Sequence, residues 1–531
     1  MNNLRSLLIA VTAAALFICT GCASLGDHHP EQTAPATTLC IFHTNDHHGH
    51  PLSFSWPPAQ KAGGLPARAS MIAEIRQACE HVLVLDAGDI NTGRPESDFF
   101  DAEPDIIGYN SIGYQAMAVG NHEFDHPPEI RKEQEELSAF PWLSANIVTS
   151  EGKPVFTPYI IEDMDGLKVA VLGLTTKETA QVGNPEFIGN VSFLDEVETA
   201  RRYMPTLKEQ ADIVIGLVHM GLYDDWERGS ARLARHVPGF DLIIDGHTHT
   251  LMEAPRYVNG TPIVMAHKWG LVVGLGLMRI KEDRVCTFVW DAVPINLQKK
   301  IQAQGQTEQV LASKPYPDDP ELLAKLKPYA QKVEKKLGTV IGRAQTTLSS
   351  RMVRRQETAL GNLVADSMAW YARRKGADFA VQNGGGIRAD LPEGTITMRR
   401  AYEILPFDNS VVLVSMTGRD VLELFNTMAG ISPGDGAFPQ VSAGVRLLLN
   451  RDAGKCQGAW ILDQPIDPKA TYTIATNSYL AAGGDGYSIF QKAKAIYDTS
   501  RFQRDVFSEY IRHLQEVKRP EVGNRIQTIE S

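Results

Sequence analysis

Short apolar runs recur along the first half of the chain: TLCIFH, HVLVLDAGD, KVAVLGLTT, DIVIGLVHMG, DLIIDGHTH and PIVMAHKWG. They are continuous rather than alternating, which fits strands buried on both faces and disfavours a sheet with one wet face. Helical patterns lie between several of them, as at 67–79 and 195–210, so a layered α/β domain is predicted. Polar residues cluster where these runs end or at comparable loops: Asp46 and His48, Asp89, Asn121 and His122, His219, and His247 and His249. In α/β sheets ligands collect at the carboxyl ends of strands. These side chains are therefore expected to converge on one rim.

At 531 residues the chain exceeds what one hydrophobic core usually sustains, so two domains are expected. With 43% apolar and 22% charged residues, enough apolar surface is available for both. Residues 318–338 read as a charged amphipathic helix, interrupted near Pro328 and closed by Gly338. It would connect a first domain at 38–317 to a smaller α/β domain at 339–531. The net charge of -11 argues against a nucleic-acid polymer or an anionic membrane surface as the partner. An acidic enzyme for anionic substrates must hold them with local arginines or metal.

Residues 1–21 carry Arg5, an apolar run and small residues, a secretory signal pattern. The sequence CTGC at 19–22 resembles a bacterial lipobox and makes Cys22 the lipidation candidate, although Cys19 stands where that motif most often has Leu. Plain signal-peptide cleavage is the alternative. No later segment offers about 18 uninterrupted apolar residues, so the expectation is a lipid-anchored chain in the cell envelope with a tether at 22–37. Ala23 and Ser24 rather than Asp after Cys22 favour the outer membrane. Cys40, Cys79, Cys286 and Cys456 form no CxxC pair and do not look like a zinc-finger set. Neighbouring strands could join Cys40 to Cys79, with buried free thiols as the alternative.

In chain order the polar groups are D-x-H at 46–48, AGDINTG at 87–93, GNHEFD at 120–125, VHMG at 218–221 and DGHTH at 245–249. Together they resemble the signature of the calcineurin-like dinuclear metallophosphoesterases. Alternation along an extended segment places Asp46 and His48 on one face, and an aspartate can bridge two cations. The resemblance implies two divalent ions, one on Asp46, His48, Asp89 and His249, the other on Asp89, Asn121, His219 and His247. It also implies that His122 stabilises the transferring phosphoryl group or assists the leaving oxygen, and that Asp125 orients it. A helix cap is the plainer reading of that pair, and both can hold at once. Mixed N and O ligation suits Zn, Mn, Fe or Co better than an all-Mg site; Mg is retained as a candidate, and the native ion stays open. His43, His47, His50 and His126 read as supporting or surface histidines, Asp86 as structural, and Glu123 and Glu96 as residues that hold the rim.

The second half adds TALGNLVAD at 358–366, NGGGIR at 383–388, LPFDN at 405–409 and AAGGDGY at 481–487. With HTNDHHGH, DINTG, AVGNHEFD and LGLTT, these resemble the bacterial 5'-nucleotidase and UDP-sugar hydrolase family over nearly the whole mature chain. Three glycines let a backbone approach an anion closely, and the Arg388 guanidinium can fork two phosphate oxygens. The resemblance places Arg351 and Arg354 as further phosphate contacts, although RMVRR matches poorly and Arg355 could substitute. It makes Phe407 and Tyr479 the rings that sandwich the base, with Tyr in place of the family's second Phe. Asn383, Asn409 and Asp485 fit as hydrogen-bonding groups, Asp485 toward the ribose.

The expected function is that of an exported, metal-dependent 5'-nucleotidase, a monomer acting on nucleoside 5'-phosphates and extending to UDP-sugars and nucleoside di- and triphosphates. Within the same fold the alternatives are a 2',3'-cyclic phosphodiesterase with 3'-nucleotidase activity and a thiosulfohydrolase. A nucleotide-binding lipoprotein without turnover is a third.

Overall fold

The computed structural model describes residues 36–529 except 57, 183, 184, 225, 283, 304, 305, 408 and 494. Cys22, the signal segment and most of the tether lie outside these residues.

The first domain stacks two six-stranded sheets. One runs Arg284–Pro294, Val272–Lys281, Thr37–Thr44, His81–Asp86, Ala116–Ala118, Trp142–Leu143; the other runs Arg256–Val258, Thr261–Val264, Leu242–Ile244, Ile213–His219, Leu167–Thr175, Tyr159–Met164. Period-two alternation gives every central strand two buried faces. Leu39, Ile41, Leu83 and Leu85 meet Val169, Val171, Ile213 and Ile215 between the sheets. Cys40, Phe42 and Val84 instead pack outward against Leu65, Ile72 and Ile106. On the far side Ala170, Leu172, Val214 and Val218 pack on Val197, Ala200, Leu207 and Leu233. The result is four layers, helix, sheet, sheet, helix. Thr37–Thr44, His81–Asp86 and Ala116–Ala118 run parallel, as do Leu167–Thr175, Ile213–His219 and Leu242–Ile244, so the expected rim is real.

Cys40 and Cys79 form a disulfide. Cys79 lies not on a neighbouring strand but at the C-terminal cap of the helix Leu65–Ala78. The bond therefore ties a central strand to the helix layer covering it.

Pro320–Leu337 is one continuous helix, so the interruption expected at Pro328 does not occur. Proline removes a single ladder bond. Leu322 and Leu326 are buried in the first domain's core, and Val333 and Leu337 against Tyr402 of the second. Packing at both ends holds the helix across its missing bond. Asp319 caps it by accepting from the Leu322 N–H at 2.8 Å.

The second domain centres on a five-stranded sheet ordered Pro439–Val441, Phe379–Asn383, Thr471–Asn477, Ser410–Thr417, Ala495–Phe502. The helices Ala359–Arg373 and Gln503–Leu514 cover one face, and Gly418–Gly430 the other. Charged contacts join the domains. Arg399 pairs with Glu96 at 2.5 Å and with Glu334 of the connecting helix at 2.6 Å, while Arg94 reaches Glu403 at 3.4 Å.

Candidate active site

Each parallel strand delivers its polar residues to the same end. Asp46 and His48 follow Thr37–Thr44, Asp89 follows His81–Asp86, Asn121 follows Ala116–Ala118, His219 ends its own strand, and His247 and His249 follow Leu242–Ile244. Within 4.8 Å of one another lie donor atoms of Asp46, His48 and His249, and likewise those of Asp89, His219 and His247. His48 and Asp89 stand 3.8 Å apart and connect the groups. Asn121 Oδ1 lies 2.8 Å from His247 Nδ1 and 3.2 Å from His219 Nε2. All seven expected ligands thus converge, with Asp89 between the two sets.

The main chain fixes which nitrogen each imidazole offers. His219 Nδ1 donates to Ala87 O at 2.7 Å and His48 Nδ1 to Asn91 O at 3.1 Å, leaving both Nε2 lone pairs for the centre. Asp46, His48, Asp89, His247 and His249 all have left-handed backbone, with φ of 51°, 47°, 60°, 78° and 54°. Asp and His tolerate that region better than most residues. Asn45 holds the first turn by donating to His267 O at 2.5 Å and accepting from the Ala266 N–H at 2.7 Å. Glu123 accepts the N–H groups of Asp89, Ile90 and Gly120, confirming its rim role.

Electrostatics suits divalent cations. Burial would raise the Asp89 carboxyl, but His219, His122 and His48 outweigh it and hold the group well below the ordinary carboxylate range. Burial likewise opposes a charged His219, yet with no cation beside it Asp89 and Asp46 lift it to about 10; a cation on Nε2 would take the place of that proton. A mixed set of carboxylate, amide oxygen and imidazole donors is a borderline-hard site, fitted to such ions.

His122 Nδ1 is 2.6 Å from Asp125 Oδ2, its main-chain N–H donates to Asp89 Oδ1 at 2.8 Å, and its ring centroid lies 4.8 Å from that of His48. The ring therefore sits against the ligand groups, turned by a carboxylate. His43, His47, His50 and His126 are all buried, so none is a surface histidine. His43 accepts from the Trp290 indole, His47 bridges Arg68 and Asp105, and His50 stacks on Trp269. Asp86 accepts from Thr44 and Tyr109, as a structural residue would.

From the second domain, Arg388 faces this centre. Its guanidinium lies 5.7 Å from the Phe407 ring, which stacks on His122 at 5.9 Å. Burial and the neighbouring Arg354 push Arg388 down to about 10. Arg354 is half-buried near Asp485 and Asp435, whereas Arg351 and Arg355 stand exposed. Tyr479 donates to Asp485 Oδ1 at 2.7 Å and accepts the Asp485 N–H at 3.0 Å. Asn383 donates to Asp485 Oδ2 at 2.8 Å, and Asn409 accepts from Ser478 at 3.3 Å.

The glycines of NGGG serve a different purpose from the expected one. The N–H groups of Gly384 and Gly385 donate to Phe438 O and Gly436 O, each at 2.7 Å. A Cβ on Gly384 would stand 2.3 Å from Val353 O. Gly384 and Gly385 let three segments of chain approach one another, and their N–H groups are taken by carbonyls.

Comparison with known proteins follows the two-domain layout. The calcineurin-like phosphoesterase family matches residues 39–251, and the 5'-nucleotidase C-terminal domain matches 340–492. A 5'-nucleotidase of Vibrio vulnificus is 37% identical over 538 residues, covering 94% of this chain and 95% of its own. The chain belongs to the 5'-nucleotidase family. The UshA protein of Escherichia coli K12 is 36% identical over 507 residues, covering 89% and 90%. The crystal structure of a 5'-nucleotidase precursor from Thermus thermophilus superposes with a TM-score of 0.79 at 30% identity, covering 93% of this chain and 99% of that one. With both halves of that architecture, this 5'-nucleotidase family member is a metal-dependent phosphomonoester hydrolase.

One segment of it escaped the sequence reading, the loop after the strand Thr261–Val264. The Trp269 N–H donates to Asp46 O at 2.7 Å, and His267 Nδ1 lies 2.9 Å from His249 O. Burial and the fields of Arg388 and Arg354 push Lys268 down to about 8. The run PIVMAHKWG ends in polar residues like the others, and that was the available signal.

Proposed function

We propose that this chain is an exported 5'-nucleotidase that hydrolyses nucleoside 5'-phosphates to nucleoside and phosphate with two divalent cations, and that UDP-sugars fall within its range. The observation carrying this reading is the contact of His122, beside the ligand groups, with Phe407 of the other domain. A phosphate at the centre and a nucleoside on the second domain can thereby belong to one molecule.

Asp46, His48, Asp89 and His249 would hold one divalent cation and Asp89, Asn121, His219 and His247 the other, and such ions would supply Lewis-acid chemistry at the phosphoryl group. Asp125 fixes the His122 ring so that its outer nitrogen can deliver a proton to the departing 5' oxygen. Arg388 and Arg354 hold phosphoryl oxygens. Phe407 and Tyr479 offer ring faces to the base, and Asn383, Asn409 and Asp485 offer hydrogen bonds to the nucleoside.

Export is supported by the signal pattern and by the Cys40–Cys79 bond, which is at home in an oxidising compartment. The same reading anchors the mature chain through Cys22 at the outer membrane. Phosphate release from AMP by the purified mature protein, with and without a chelator, tests the activity. Cleavage of p-nitrophenyl phosphate but not of AMP would overturn it. Mass spectrometry of the mature N-terminus tests the anchor, which fails if no acylated Cys22 is found.

A further inference from the structure

His47 stands between the ligands Asp46 and His48, and its ring is held at both nitrogens. Arg68 Nη2 lies 2.7 Å from His47 Nδ1, and Asp105 Oδ1 lies 2.7 Å from His47 Nε2. A guanidinium can only donate, so Nδ1 is the acceptor and Nε2 carries the hydrogen given to Asp105. The neutral imidazole therefore bridges a cation and a carboxylate. All three side chains are fully buried. The other carboxylate near Arg68 is Asp86, already engaged by Thr44, Tyr109 and the Gly88 N–H.

Arg68 and Asp105 belong to the helices Leu65–Ala78 and Glu103–Ile112 of the outer layer. Arg68 also packs on the loop that follows Thr261–Val264, since a Cβ on Gly270 would stand 2.6 Å from its guanidinium carbon. The trio thus fastens the ligand turn to helices that carry no ligand. Burying two opposite charges is unfavourable unless their geometry is used, and apolar side chains could fill the same space. What the polar trio adds is orientation, because two hydrogen bonds at opposite edges of the ring leave it one setting. The turn needs such support, since Asp46 and His48 both have left-handed backbone, at φ 51° and 47°. Through their N–H groups on Gly88 O and Asp89 O, these two residues are tied to the neighbouring strand end. His47 ties them to the helix layer.

We propose that His47, clamped by Arg68 and Asp105, is a positioning residue that sets how tightly the group of Asp46, His48 and His249 holds its cation. The assignment rests on the two-cation reading above. Its effect is selective, because different atoms hold the second group: Ala87 O holds His219, and Glu123 holds the Asp89 turn. The alternative is a brace that supports the fold and leaves cation binding alone.

Three variants separate these roles. His47→Leu fills the space without hydrogen bonds, whereas His47→Gln keeps an oxygen for Arg68 and an N–H for Asp105. Asp105→Ala leaves the ligand turn's sequence intact and removes one jaw of the clamp. The metal-free mature protein and each variant should be titrated with Mn2+ by calorimetry, with the thermal midpoint read before and after loading. In His47→Leu and Asp105→Ala one of the two Mn2+ affinities should fall about tenfold or more, the usual scale for groups that orient ligands, while the other moves far less. His47→Gln should keep most of both. Affinities that are both unchanged, or both lowered alike, would overturn the proposal. So would a metal-free midpoint that falls in all three variants while the rise on loading stays that of the unmodified protein. Should His47→Leu fail to fold, Asp105→Ala decides by the same criteria; should both fail to fold, the trio is a brace and the proposal is overturned. If the unmodified protein binds other than two Mn2+ per chain, the two-cation reading fails and takes the clamp with it; if it binds two and Asp105→Ala keeps both affinities, the clamp alone fails.

Discussion

The imidazole of His122 and the ring of Phe407 lie within 16° of parallel, with centroids 5.9 Å apart, although they come from different domains. Phe407 thus has two possible services, a face for the base and a backing for His122. Phe407→Ala should cost roughly 1 to 3 kcal/mol on AMP, the scale of one base stacked on an aromatic ring. On p-nitrophenyl phosphate, which has no base, the loss should be much smaller. Steady-state kinetics on the two esters separate the services, and equal losses would assign the ring to supporting His122.

Asp89 and His122 touch, yet their substitutions should differ in kind. Asp89→Asn removes the carboxylate that lies between the two ligand groups, 3.8 Å from His48 and 3.0 Å from His219, and should empty the centre of metal. His122→Asn should keep the metal and lower kcat by roughly 10² to 10⁴, the usual contribution of a positioned acid. Elemental analysis beside the kinetics checks this; metal loss in the His122 variant would make that residue a ligand.

Glu96 receives Arg399 from the second domain and lies 3.6 Å from Arg94, which itself reaches Glu403 across the boundary. Glu96→Gln should loosen the domain arrangement. Partly exposed pairs are worth at most about 1 kcal/mol each, so the expected effect is a modest rise in KM for AMP and a larger radius of gyration by small-angle scattering. An unchanged radius would show that packing of the connecting helix alone sets the arrangement.

The Cys40–Cys79 bond closes a loop with a sequence separation of 39. Chain-entropy arguments give such a loop about 4 kcal/mol as an upper figure. The paired substitution Cys40→Ala with Cys79→Ala should lower unfolding free energy by about 2 to 4 kcal/mol, read from denaturant titration. A midpoint unmoved by the substitution would leave the bond without a stabilising role.

The rim was legible because it is written at strand ends, where a continuous apolar run stops at a polar residue. Asp46, Asp89, His219 and His247 are placed by that rule from the sequence alone. The buried status of His43, His47 and His50 was not legible, since it depends on Trp290, Arg68 with Asp105, and Trp269, all distant in sequence. The use of NGGG was misread for a related reason. A glycine run signals close approach, but only tertiary structure shows that Val353 and Gly436 are what approach. Pro328 illustrates packing overriding a local rule, because buried Leu322 and Leu326 before it and Val333 and Leu337 after it hold the helix through it.

Five of the ligand positions, Asp46, His48, Asp89, His247 and His249, have backbone that glycine would adopt more readily. Each costs the fold something, on the order of 1 kcal/mol for an ordinary L residue in that region. Glycine at these places would relieve the backbone and remove the donors, so at these five positions the chain accepts a less comfortable backbone in exchange for groups that can bind a cation.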